Sequence, residues 1–274
     1  MLKVIKMDLY RLLKSRIGWI LLILLFAATA VSMHTQHSDY EFLRSTPQYA
    51  EVYQDRFPLV QMKSGIEGVD TYYLFSHLMQ VDIGYAASFL IVLFSVLFAG
   101  AENSSGFIKN IAGQPSIRHR TVLSKCLTVA VFCALALTVV GFAVLLGEQI
   151  FFGYICLSMY SIPDMLLFGL TQFLLHSALG IVAVCLSQVI KNQAISTAVG
   201  AMLSIGAARL LTDQLDDFFQ ISRFSFTSLL LTVNRAVLPV AYDGGIYWHA
   251  WMIGMIFIAT GTVVSVLSMR RRDI

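Results

Sequence analysis

Charged residues are scarce in this sequence of 274 residues. They make up 13% of the chain, against roughly 25% in ordinary soluble domains. Hydrophobic residues make up 57%. A soluble domain of this length could not cover so much apolar surface with one core. The composition therefore excludes a soluble globular protein and indicates an all-α membrane protein.

Several catalytic and ligand-binding motifs are also absent. No Gly-x-x-x-x-Gly-Lys-Ser/Thr segment occurs, so the chain cannot bind ATP through a P-loop. There is no Gly-x-Ser-x-Gly elbow and no His-Glu-x-x-His motif. Because no Cys-x-x-Cys pair occurs, we predict no metal site and interpret the cysteines as small buried apolar residues: Cys126, Cys133, Cys156 and Cys185.

Six apolar stretches are long enough to cross a bilayer, which requires about 20 residues. They predict spans at about 17–33, 83–101, 126–147, 165–190, 194–211 and 246–269. A seventh span at 224–240 would place the three arginines 270–272 on the outer side. We therefore predict that 212–245 is an outer hairpin, re-entrant or interfacial. The outer loop 34–77 is too long for a connector and is either a lid or a recognition surface.

Lysine and arginine are unevenly divided between the two sides of this topology. With both termini inside, 13 of the 19 lie on the inner side. Since positive residues favour the cytoplasmic side, we predict a multi-pass protein of the cytoplasmic membrane with both ends in the cytoplasm. Cleavage of the first 30 residues as a signal peptide is the alternative. The charged region before the first span extends to Arg16, however, which is longer than a signal peptide needs.

Residues 1–16 have the pattern of an amphipathic helix lying on the inner leaflet. Leu2, Ile5, Leu9 and Leu12 recur at spacings of three and four. The basic residues that would contact lipid head groups are Lys3, Lys6, Arg11, Lys14 and Arg16.

Two polar residues within the fourth span are candidates for a transport pathway. Gln172 and His176 are four residues apart and share one helical face. Small residues at the same spacing, Gly200 with Ser204 and Gly261 with Ser265, favour close helix packing within the chain or between two copies.

The segment 102–125 reads as a short cytoplasmic helix, a Gly-x-Pro break and a basic turn, or as an ordinary positive loop. It resembles the ABC-2 type transporter permeases, particularly short bacterial permeases of drug, antibiotic-peptide and lantibiotic-immunity exporters. The residues that carry the resemblance are Glu102, Gly106, Ile108, Lys109, Asn110, Ser116, Arg118, Arg120 and Lys125. Residues 1–16 are similar to the elbow helix of that family, and the topology agrees over 17–274.

The resemblance implies a permease subunit of an ATP-driven exporter that moves an amphipathic peptide, drug or lipid, as in antimicrobial peptide resistance. It implies two ATPase subunits, which bind ATP and Mg, and a second permease, identical or homologous. This chain would bind no cofactor and no nucleic acid. In the family, 102–125 is a coupling helix, and the residues expected to contact the ATPase are Glu102, Ser105, Gly106, Phe107, Lys109 and Asn110. The alternatives are an intramembrane hydrolase using His176 and a stand-alone carrier.

Overall fold

The computed structural model describes residues 2–45, 83–104, 115–152, 161–190, 192–219 and 225–270. Within these ranges all regular elements are helical. They are α1 (Leu2–Lys14), α2 (Arg16–Ser45), α3 (Ile83–Ser104), α4 (Pro115–Gly147), α5 (Ile162–Ile190), α6 (Gln193–Ser204), α7 (Ala208–Phe219), α8 (Leu231–Val237) and α9 (Gly244–Arg270). A π-helical turn, Glu148–Phe152, continues α4, and a 3-10 turn, Thr227–Leu229, precedes α8.

Five of these helices, α2, α3, α4, α5 and α9, are long and apolar enough to cross a membrane. The pair α6 and α7 makes a sixth when it is counted as one span, with a bend of 58° between the two helices. The predicted all-α membrane class is therefore confirmed, and the predicted number of spans agrees with the upper count.

The bundle has two ends, which we name by the short helices that lie there. The α1 end holds α1, the last turn of α3 and the first turns of α4. The α8 end holds α8, the first turn of α3 and the first turn of α9. Helices α3, α4, α5 and α9 run between the two ends, and α4 and α5 each pack against the other three.

Aromatic stacking and small residues bring the helices together. The Phe94 ring of α3 stacks on Phe132 of α4, with 3.7 Å between the ring centroids. A β-carbon built at Gly180 would lie 2.6 Å from a methyl carbon of Val129, so α5 approaches α4 closely there. Such approaches matter in lipid, where helices associate by van der Waals packing rather than by exclusion of water.

The small-residue pairs pack within the chain. A β-carbon at Gly200 would lie 2.7 Å from Val92 of α3, and one at Gly261 would lie 3.2 Å from Ile181 of α5. Ser204 and Ser265 are buried. Intrachain contact therefore accounts for the spacing without a second copy.

The stretch predicted as the fifth span is not one straight helix. Helix α6 begins at the cap Asn192, whose side chain accepts hydrogen bonds from the backbone N–H groups of Ala194 and Ile195. It ends at Ser204, and Gly206 then has φ of +82°. That left-handed conformation is available to glycine at little cost, so the chain turns there and continues as α7.

Part of the predicted segment 102–125 differs in the structure. The prediction of a basic turn at 118–125 is wrong, because these residues belong to the first turns of α4. Pro115 is the first residue of that helix, a position where its fixed φ and missing N–H are favourable. The predicted short helix falls largely on residues 105–114, which lie outside the described residues.

The predicted outer loop 34–77 is described only as far as Ser45. Helix α2 continues without a break to Ser45, so the first part of the predicted loop 34–77 is helical. The rest of that loop lies outside the described residues. The predicted hairpin 212–245 contains the end of α7, the 3-10 turn and α8. Helix α8 packs against α3, α5 and α9 and does not cross the bundle, in agreement with the preference for a hairpin over a seventh span.

Candidate functional site

Polar side chains are buried at several places in the bundle, and two of these regions contain site residues that the sequence predicts. We call the first the α1 junction; it consists of Asp8, Arg11, Phe98, Ser124 and Lys125. The second, the α5 cavity, lies between α3, α4 and α5 toward the α8 end and is lined by Gln172 and His176 among apolar residues. Buried polar groups are expensive in a membrane protein, so both regions are functional candidates.

Asp8 is the centre of the α1 junction. Its side chain is fully buried although it belongs to a short helix at the edge of the bundle. The hydroxyl group of Ser124 donates to Asp8 Oδ2 over 2.5 Å, and Arg11 Nη1 lies 3.4 Å from Asp8 Oδ1. These contacts fix α1 against the first turns of α4.

Two further contacts connect this region to α3. The Arg11 guanidinium lies over the Phe98 ring, 5.3 Å from its centroid, in a cation–π arrangement. Lys125 is buried, and its ammonium group donates to the carbonyl oxygen of Ala99 over 3.3 Å. Helices α1, α3 and α4 are therefore joined where the chain leaves α3 and re-enters at α4.

The five predicted lipid contacts of the N-terminal helix separate into two groups. Lys3, Lys6, Lys14 and Arg16 are exposed and remain available to a charged surface. Arg11 is half-buried and contacts Phe98 and Asp8 instead. Leu12 is buried and Leu9 packs against the core, so these two residues of the apolar face contact the bundle.

The predicted coupling residues are only partly described. Glu102 belongs to the last turn of α3. Ser105, Gly106, Phe107, Lys109 and Asn110 lie outside the described residues.

The structure brings Gln172 and His176 together at the α5 cavity, which has a volume of about 180 Å³. The imidazole Nδ1 of His176 lies 2.8 Å from the backbone carbonyl oxygen of Gln172. A carbonyl oxygen can only accept, so in the neutral ring Nδ1 carries the hydrogen and Nε2 is an acceptor. Among the described residues neither His176 Nε2 nor Gln172 Oε1 has a hydrogen-bond partner.

Helix α8 lies beside this cavity and carries a buried arginine. Gln172 Nε2 donates to the backbone carbonyl oxygen of Arg235 over 3.2 Å. The Arg235 guanidinium lies over the Tyr85 ring, 4.6 Å from its centroid. On the opposite side, His249 Nδ1 lies 2.8 Å from Asn234 Oδ1, which ties α8 to α9.

Sequence reasoning missed several members of these two sites. Asp8 had one visible signal, since it is the only acid in a basic helix. Arg235 and Asn234 were visible only as polar interruptions of an apolar stretch. Nothing in the sequence indicates that Tyr85 contacts Arg235 or that Ser124 contacts Asp8, because these partners lie far away along the chain.

The geometry gives no support to hydrolytic chemistry at His176. Its Nδ1 is engaged by a backbone carbonyl, and no described serine hydroxyl is hydrogen-bonded to the ring. In the part of the chain that the structure covers, no group of three His, Cys, Asp or Glu side chains is placed to hold a metal ion. Cys126 and Cys133 are free and buried, as their interpretation as apolar residues requires, whereas Cys185 is free but only half-buried.

The described helices define an all-helical fold with the length and hydropathy of a multi-pass membrane protein. Comparison of the chain with protein-family models and with curated proteins gives no match. The functional assignment therefore depends on the residues and their arrangement.

Proposed function

We propose that this chain is the permease subunit of an ATP-driven ABC exporter, working with two copies of a separate ATPase and a second permease. The observation that carries the proposal is the α1 junction. It joins α1, α3 and α4 around the two ends of segment 105–114, the segment whose sequence resembles a coupling helix. A force applied to that segment would act on three helices together.

The distribution of charge supports an orientation with the α1 end in the cytoplasm of a bacterial inner membrane. The exposed Lys3, Lys6, Lys14 and Arg16 all belong to α1 or the first residue of α2. In this orientation they meet the anionic lipid head groups of the inner leaflet, and the segment after Glu102 meets a soluble ATPase.

In the proposed mechanism, closure of the ATPase dimer moves the α1 junction as one body. Helices α3 and α4 then shift against α5, which packs on both of them. The α5 cavity lies between these three helices, so such a movement would change its shape and opening. This is a rigid-body switch between two packed states, as in other transport proteins. The cargo expected is an amphipathic peptide, drug or lipid.

A stand-alone carrier is the second candidate, favoured by one observation. Helix pair α6 and α7 is broken by 58°, and broken spans are typical of carriers. In carriers such breaks occur in pairs related by internal repeats, whereas the five other spanning helices that the structure describes are each continuous. The exporter is therefore the better supported function.

Photo-crosslinking at the coupling segment tests the proposal. A photoreactive phenylalanine analogue replaces Phe107 in cells, with the same analogue at Tyr242 of the α8 end as the matched control. We expect Phe107 to capture a soluble P-loop ATPase and Tyr242 to capture none. Capture of no ATPase at Phe107, with the protein correctly inserted, would contradict the coupling role.

A further inference from the structure

The α5 cavity is a lateral notch in the wall of the bundle. Gly141 of α4 and Gly169 of α5 both line it. A β-carbon built at either glycine would have no neighbour within 4 Å. Open space therefore lies directly beyond both α-carbons, and side chains larger than glycine would fill it.

The size and the walls of the cavity suit a single ring. Its volume of about 180 Å³ is close to the roughly 150 Å³ of an apolar cavity known to bind benzene. Phe168 and Met165 form part of the wall. An aromatic face and a thioether sulfur both make favourable contacts with an aromatic ring.

Two polar atoms of the residues that line the cavity are acceptors that lack a donor among the described residues. Gln172 and His176 are both more than nine-tenths buried. The carboxamide Oε1 of Gln172 and Nε2 of His176 find no donor in the described ranges of the chain. A buried acceptor without a donor is costly, so a ligand that brings an O–H or N–H group would be stabilised here.

Charge limits the ligand further. The Arg235 guanidinium acts electrostatically on His176, so a positive charge already lies near the cavity. A cationic ligand would be repelled by it. A carboxylate would place its own acceptor oxygens against Oε1 of Gln172 and Nε2 of His176, which are acceptors too. A neutral donor meets neither difficulty.

We propose that the α5 cavity binds an aromatic ring carrying a neutral hydrogen-bond donor, as in a phenol or an indole. As a contact for cargo this rests on the proposed exporter function, and it specifies the cargo as a molecule or peptide that presents such a ring. Binding of the ring itself requires no ATPase.

Fluorine NMR on the full chain in lipid nanodiscs tests the binding, with 4-fluorophenol and fluorobenzene as the two probes. The probes have similar rings and differ in the donor. We expect saturable binding of both, with 4-fluorophenol about three- to tenfold tighter, which is the contribution of one hydrogen bond.

Three variants locate the binding. Gly141→Leu fills the cavity and is expected to abolish saturable binding of both probes. Thr138→Leu lies on the exposed surface one turn earlier on α4 and should leave both affinities unchanged. His176→Phe keeps an aromatic ring but removes Nε2. The affinities for 4-fluorophenol and fluorobenzene should therefore become nearly equal.

Three results would overturn the proposal. Equal affinity of the wild type for both probes would show that no donor is recognised. Unchanged binding in Gly141→Leu would place the probes in the lipid or at another site. Absence of saturable binding of either probe would show that the cavity does not bind an aromatic ring. If His176→Phe does not fold, Gly141→Leu still decides the location. None of these results depends on whether an ATPase associates with the chain, so failure here is distinguishable from failure of the exporter assignment.

Discussion

At the residue scale, Asp8 is a buried site residue that lies in a segment of otherwise basic charge. It is the first acid of the chain, and the next is Asp39. Surface helices tolerate such a residue as a solvated charge, but here the side chain is fully buried. Its partner Ser124 is 116 positions away, so only the folded bundle brings the two together.

Removal of the Asp8 carboxyl group should loosen the α1 junction. We expect Asp8→Ala to lower the free energy of unfolding by about 2–4 kcal/mol, because buried partners lose a charged acceptor. Asp8→Asn should cost less, since its amide oxygen still accepts from Ser124. The measurement is the unfolding midpoint in detergent, with the exposed Lys6→Ala as control. Equal stability of Asp8→Ala and Lys6→Ala would show that the junction contributes little.

Arg235 is the second residue whose role depends on tertiary structure. A guanidinium placed in an apolar hairpin is unfavourable unless it finds partners. The Tyr85 ring provides one, and the backbone carbonyl of the same residue receives a hydrogen bond from Gln172. Helix α8 is thereby held beside Gln172 of the α5 cavity, although it has only seven residues.

At the scale of the elements, the break between α6 and α7 has an identifiable cause. Hydropathy summed over a window treats 194–211 as one span, because it records composition and no backbone geometry. The left-handed φ of Gly206 ends α6, and α7 then exposes its apolar side chains; among them are Leu210, Leu211 and Phe218. The polar face of α7 contacts the segment before α8: Asp216 accepts hydrogen bonds from Ser225 and from the backbone N–H of Thr227.

Substitution of Gly206 should therefore destabilise the turn. We expect Gly206→Ala to cost about 1–2 kcal/mol, because a β-carbon disfavours positive φ. Gly206→Asn should cost less, since asparagine visits this conformation more readily. Thermal unfolding measures both, and Gly245→Ala in the first turn of α9 is the matched control. A Gly206→Ala protein as stable as this control would contradict the assigned cause of the bend.

The sequence allowed the long helices to be predicted because each span must satisfy its own backbone within about 20 apolar residues. It also placed Gln172 and His176 on one face, because their spacing is helical. It did not indicate that α4 begins at Pro115, since a proline favours both a break and a helix start. Contacts between distant positions, such as Tyr85 with Arg235, required the assembled bundle.

At the scale of the whole molecule, the charge asymmetry is the basis of the proposed orientation. We expect Lys3→Cys, in a protein otherwise free of cysteine, to be protected from a membrane-impermeant maleimide in intact cells. Asp243→Cys, at the α8 end, should be labelled. Both positions are exposed in the structure, so access through the membrane is the difference between them. Labelling of Lys3→Cys alone would reverse the proposed topology.

The central claim for the whole molecule is that α1, α3 and α4 form one body that a separate ATPase moves. These 274 residues contain no P-loop, so an ATP-driven function requires a P-loop ATPase outside them. The α1 junction would transmit movement of segment 105–114, and the α5 cavity lies where α3 and α4 meet α5. The proposed coupling depends on the presence of that partner.

Purification of the tagged protein from its native membrane under mild conditions is the most direct test. The account predicts that a soluble chain with a P-loop co-purifies, one copy for each permease, and that the complex hydrolyses ATP. A protein that purifies alone, and stays alone after chemical cross-linking in the cell, would contradict the exporter assignment.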